Sequence, residues 1–145
     1  MKKPKISVIG VGYVGLCTAV GLASKGYSVL ASDVDEQKIA KINQGIPPFH
    51  EPGLQEKLTE SIQKGNLKGI VGQTEQVIQE TDLTFVAVGT PSNPDGSIDL
   101  QYIESATRNM GKALKHKNKY HVIVIKSTVI PGTTQNVVKP ILEKE

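Results

Sequence analysis

Runs of aliphatic and β-branched residues alternate along this chain with segments whose apolar positions recur at helical spacing. Lys5–Gly10 (KISVIG) predicts a strand buried on both faces, and Tyr13–Lys25 a helix of small and apolar residues. Tyr27–Ser32 predicts a second strand, and Asp35–Asn43 a short helix with Asp35 as its N-cap and Ile39 and Ile42 facing inward. Gly45–Gly53 (GIPPFHEPG) holds too much Pro and Gly for regular structure and reads as a connector. Beyond it come a helix (Leu54–Lys64), a strand (Leu67–Val71), a helix (Thr74–Glu80) and the strongly strand-like Leu83–Val88. Turn residues fill Gly89–Ser97. Asp99 then caps a helix on which Leu100, Ile103, Met110 and Leu114 form one stripe. His121–Ile125 predicts a fifth strand. The last helix should have Pro131 in its first turn and Val137, Val138, Ile141 and Leu142 facing inward, with Pro140 bending it or ending it early.

Strands that are apolar throughout, each followed by a helix, predict a parallel sheet covered on both faces. The expected fold class is therefore α/β, a doubly wound sheet in the order 3-2-1-4-5, with a usual sixth strand cut off. One domain over residues 1–145 accommodates all of it.

Composition removes several function classes. A single Cys excludes a disulfide framework and a multi-Cys metal site, and His50, His116 and His121 lack metal-ligand spacing, so no metal is expected. The formal net charge is only +3. Its most basic run, Lys112–His121 (KALKHKNKYH), reads as a solvated face without the motifs of a nucleic-acid partner. Residues 6–24 carry no charge and follow Lys2, Lys3 and Lys5, which imitates a signal sequence or a membrane span. Gly10, Gly12, Gly15 and Gly21 interrupt that run, which favours a cytoplasmic chain with no membrane partner. No nucleophile elbow is present for a hydrolase, and Cys17, set on the first helix, reads as a small core residue.

Gly10-Val11-Gly12-Tyr13-Val14-Gly15 is the strongest chemical signal, because it directly follows a predicted strand and opens a predicted helix. In that setting Gly10 permits a tight turn, Gly12 keeps a side chain out of the way of a pyrophosphate, and Gly15 lets helix and strand pack closely. The helix N-terminus adds free N–H groups and the positive end of its dipole. Asp33, at the end of the second strand, suits the two hydroxyls of an adenosine ribose and repels a 2′-phosphate, which selects NAD over NADP. Lys38 lies one helical turn further on, within reach of the same ribose or phosphate, or is a plain exposed helix lysine. Val88 at the end of the fourth strand with Gly89 and Thr90 after it, and Ser127 and Thr128 after the fifth, lie on the side of the sheet where ligands bind. Serine and threonine are also common in such turns for structural reasons.

Five motifs in order, GVGYVGLCTAV, SDVDEQKIAKINQG, HEPGL, VAVGTPS and IKSTVIPGT, give the chain a resemblance to the UDP-glucose/GDP-mannose dehydrogenase family, nearest its UDP-glucose-oxidising branch. The resemblance covers essentially the whole chain. It implies a Rossmann-type NAD-binding domain whose parent oxidises a sugar C6 alcohol to a carboxylate in two hydride transfers, through a thioester on a cysteine. Carried over, Gly10 to Gly15 hold the pyrophosphate, Asp33 and Lys38 the ribose, and Thr90 the cofactor, while Ser127 and Thr128 lie beside the nicotinamide. Thr128 would support catalysis by ordering a water or substrate oxygen. Glu51 of HEPGL is assigned to holding the connector. The family's nucleophilic cysteine and its partners lie beyond this stretch, and Cys17 does not replace it, so the chain alone is expected to be inactive. The alternatives are a UDP-N-acetylmannosamine or GDP-mannose enzyme, or a free-standing dinucleotide-sensing module. Weak self-association through the exposed fifth strand is also expected.

Overall fold

The computed structural model describes residues 3–145, so Lys2 of the basic amino-terminal run lies outside it. Five strands, β1 (Ile6–Ile9), β2 (Val29–Asp33), β3 (Leu67–Val71), β4 (Leu83–Val86) and β5 (Val122–Ile125), form one sheet. Its order is β3-β2-β1-β4-β5, and every pairing is parallel, with Ile6 beside Val29 on one side and Leu83 on the other. The doubly wound arrangement is the one expected.

Alternation along each strand sends side chains to two separate cores. Ile6, Val8, Val29, Ala31 and Leu67 pack against α1 (Tyr13–Ser24), α2 (Glu36–Asn43) and α3 (Leu54–Gln63). Ile9, Ile70 and Val86 pack against α4 (Thr74–Glu80) and α5 (Gln101–Leu114). Ala19 and Ala23, both fully buried, bring α1 close to the sheet. Among the described residues, no helix is long and apolar enough to cross a membrane.

Some local expectations are corrected. β4 ends at Val86 and not at Val88, because the chain leaves the ladder where Gly10 packs against the Ala87 carbonyl. Asp99 does serve the start of α5, but by accepting the Gln101 N–H one residue before the assigned cap. Pro131 lies in a turn ahead of the last helix, next to Gly132 at φ 92°, and not in its first turn. Pro140 does not end the helix but stands in the first turn of its α-helical last part. Thr134–Val138 form a π-turn, which widens the coil before α6 (Lys139–Lys144) and accommodates a residue that cannot donate a hydrogen bond. Of the four residues expected to face inward, only Val138 is fully buried.

The amino ends of the strands are closed by side chains. Ser7, Thr81 and Thr84 are buried polar residues in a hydrogen-bonded chain, with Ser7 Oγ 2.7 Å from Thr84 Oγ1 and 3.1 Å from Thr81 Oγ1. His121 completes it, Nε2 lying 2.7 Å from Thr84 Oγ1 and Nδ1 3.1 Å from the Thr81 carbonyl. A carbonyl only accepts, so Nδ1 carries the proton and Nε2 accepts from Thr84. Burial first, and then the Lys117 ammonium, push the imidazole pKa below its ordinary value. Lys117 is not part of a solvated face. Its Nζ donates to the carbonyls of Ile78 (2.6 Å), Gln79 (3.2 Å) and Thr81 (2.8 Å), which α4 leaves unpaired where it ends.

The two margins of the sheet differ. At β3, the Asn43 side chain takes the outward backbone of Gly69 at both ends, accepting its N–H (2.7 Å) and donating to its carbonyl (3.1 Å). Among the described residues no side chain hydrogen-bonds to the backbone of β5, and Val122 is 38% exposed.

Candidate functional site

A cleft of about 580 Å³ opens at the carboxyl ends of the strands. Its floor is the turn from β1 into α1, and two of the motif glycines there are sterically required. Gly10 has φ 91°, and a Cβ on it would meet the Ala87 carbonyl oxygen at 2.6 Å. A Cβ on Gly15 would lie 1.8 Å from the Gly10 oxygen. Gly12 is different, because a Cβ there would meet nothing within 4 Å. The protein itself does not need that position empty, so the space is left to something outside the chain. Gly12 is also the N-cap of α1, with no side chain bonding to the helix's first N–H groups. Those groups, with the dipole behind them, favour an anion.

Gly10, Gly12, Tyr13, Val14, Asp33, Lys38, Val88, Gly89, Thr90, Ser127 and Thr128 all line the cleft. Val11 and Gly15 do not. Val11 is fully buried, and its N–H is donated to Asp33 Oδ2 at 2.9 Å. Lys38 Nζ reaches the same oxygen at 3.3 Å, while Oδ1 accepts the Asp35 N–H at 3.0 Å. Asp33 therefore holds the glycine turn in shape as well as facing the cleft. Lys38, only 27% exposed at its side chain, is held in an ion pair rather than free in solvent.

Opposite, Ser127 donates its hydroxyl to the Val88 carbonyl (2.7 Å), which leaves the oxygen lone pairs as acceptors toward the cleft. Thr128, one residue further, is exposed. Cys17 is only partly buried, and burial followed by the Glu51 charge raises its pKa, the reverse of what a nucleophilic thiol needs. Among the described residues no group of three or more His, Cys, Asp or Glu gathers where it could hold a metal.

Sequence reasoning missed one wall. Tyr102, Ser105 and Asn109 on α5 face the cleft, as does Val34, which is 86% exposed. The α5 residues fall at offsets 0, 3 and 7, a stripe that could have been read beside the apolar one. Nothing local in the sequence marks Val34.

This cleft is that of a Rossmann-type dinucleotide-binding domain. Residues 4–145 match the model of the NAD-binding domain of the UDP-glucose/GDP-mannose dehydrogenase family, and the chain belongs to that family. It is 46% identical over 140 residues to the GDP-mannose 6-dehydrogenase of Azotobacter vinelandii, covering 97% of this chain and 32% of that protein. It is 42% identical to a UDP-glucose 6-dehydrogenase of Haloferax volcanii, with the same coverage. Among solved structures, a GDP-mannose dehydrogenase from Pseudomonas aeruginosa superposes with a TM-score of 0.94 at 42% identity, covering 97% of this chain and 32% of that one. A UDP-glucose dehydrogenase from Pyrobaculum islandicum also gives 0.94, at 41% identity, covering 99% of this chain and 33% of that one. The chain thus spans about a third of the length of these relatives. Membership establishes NAD as the cofactor and nucleotide-sugar dehydrogenases as the class, and the relatives are divided between GDP-mannose and UDP-glucose.

Proposed function

We propose that the chain forms the cofactor-holding third of a cytoplasmic nucleotide-sugar 6-dehydrogenase. The convergence of the open Gly12 position, Asp33 and the Thr90–Ser127–Thr128 side on one cleft carries this reading. The residues present fit NAD. The α1 N-terminus, bare at Gly12, suits a pyrophosphate, and Asp33 with Lys38 suits the adenosine ribose. Val34 and Tyr102 offer exposed apolar surface for a flat base. Ser127 presents an acceptor, and Thr128 a hydroxyl to orient a water or a substrate oxygen. When bound, the nicotinamide supplies the hydride acceptor. The substrate class is a nucleoside-diphosphate sugar with a C6 alcohol. UDP-glucose is the substrate nearest the five motifs, and the 46% identity to a GDP-mannose enzyme supports GDP-mannose at least as well.

Two measurements test this. Calorimetric titration should give NAD at least about tenfold tighter than NADP, roughly 1.4 kcal/mol, because Asp33 repels a 2′-phosphate. Asp33→Ala should erase most of that preference and also weaken NAD, since it leaves the buried Val11 N–H without its partner. Equal affinities for the two dinucleotides would refute the role of Asp33. Supplied with NAD and either sugar nucleotide, the chain alone should form no NADH above background, because near-attack geometry requires both reactants to be held. Turnover by the isolated chain would mean the reacting groups lie within it.

A further inference from the structure

Tyr13 is the first residue of α1 and lines the cleft directly beside Gly12, and its ring is held by the connector. Phe49 of the connector stacks on it with centroids 4.8 Å apart and planes at 29°. Glu51, two residues further along the connector, accepts the Tyr13 O–H. Tyr13 is 54% exposed, so without these contacts both of its side-chain torsions would be free in solvent. We propose that Glu51 is a positioning residue for the dinucleotide, acting through Tyr13. This rests on the cofactor cleft described above and assigns to HEPGL a task inside it.

The connector fixes the ring as a wall of the pyrophosphate end before any ligand arrives, so binding does not have to immobilise it. Freezing one rotamer-rich side chain costs enough to change affinity roughly threefold to tenfold. A carboxylate on the far side of Tyr13 from a bound diphosphate does not attract it, because like charges repel. What Glu51 contributes is the acceptor, and its charge opposes the ligand. That separates the proposal from a plain charge effect.

The test is calorimetric titration of the full chain with NAD, ADP-ribose and AMP, each variant being checked by thermal melting. Glu51→Ala should weaken NAD and ADP-ribose by about fivefold and leave AMP, which lacks the second phosphate, within twofold. Tyr13→Phe should do the same, and the double variant should lose no more than either single one. Glu51→Gln keeps an acceptor and drops the charge, so it should bind NAD at least as tightly as the unaltered chain. Unchanged NAD affinity in Glu51→Ala, additive losses in the double variant, or equal losses for AMP would each overturn the proposal while leaving the cofactor cleft standing. No NAD binding by the unaltered chain would overturn both.

Discussion

The two ends of the same five strands are built on opposite principles. At the carboxyl ends the chain turns away on Gly10, leaves Gly12 bare and presents N–H groups and hydroxyls to open space. At the amino ends the buried polar side chains of the described residues have partners within the protein, Ser7, Thr84, His121 and Thr81 forming one chain and Lys117 bonding three carbonyls beside it. Buried polar groups that are satisfied internally stabilise and specify the fold, whereas those left open are available to a ligand. Substitutions at the two ends should therefore separate folding from binding.

The largest effect is expected at Gly15. An alanine Cβ would run into the Gly10 backbone, which cannot yield as a flexible side chain would. Gly15→Ala should cost about 3 kcal/mol or more and abolish NAD binding. Gly12→Ala places its methyl in open space and should leave the melting temperature unchanged while NAD affinity falls at least about tenfold. Equal melting losses in the two variants would erase the distinction between packing glycine and ligand glycine.

Thr84→Val tests the other end. It preserves shape but removes the hydroxyl between Ser7 and His121, so denaturant unfolding should show a loss of about 1–3 kcal/mol. NAD affinity should stay within twofold. A drop in affinity comparable to that of Gly12→Ala would mean the two ends are coupled.

A smaller effect should appear in the pH dependence of stability. The folded state keeps His121 neutral below the pH at which the unfolded chain takes up its proton. Its contribution should be complete above the ordinary imidazole value near 6.5 and decline as pH falls below it, levelling off once the folded imidazole is protonated too. Lys117 and Asp82 act on it in opposite senses, the first lowering the pKa and the second raising it. Comparing unfolding curves of the chain and of His121→Gln between pH 7.5 and 5 should show the variant with the flatter profile.

The carboxyl end was legible in the sequence because its requirements are local. A turn that needs positive φ, a helix that must approach a strand and an acid at a strand end all fall within short segments whose spacing is fixed. The amino end was not, since Ser7, Thr81, Thr84 and His121 come from three parts of the chain and share no period. Lys117 looked like one more solvent lysine, as nothing around it in the sequence reveals that α4 ends beside it. Tyr13 was read as a motif position, but its tie to Glu51 spans 38 residues and needed the fold. The π-turn before Pro140 likewise follows from how the helix continues, which the proline alone does not dictate.

The smallest effect belongs to β5. The expected self-association through this strand is a proposal that Val122→Lys should weaken, read as a shift toward monomer in sedimentation at high concentration. A strict monomer in the unaltered chain would dispose of it.

The clip that Asn43 places on Gly69 limits what such pairing could build. Open-ended growth of a sheet from copy to copy needs two free margins on each molecule, one to give and one to receive. At β3 the outward N–H and carbonyl of Gly69 are already taken by Asn43, whereas among the described residues the β5 margin carries no such clip. Pairing through β5 alone, as proposed above, would be self-complementary and would close after two copies about a twofold axis, while Asn43→Ala would free the Gly69 groups on the second margin that open-ended growth requires.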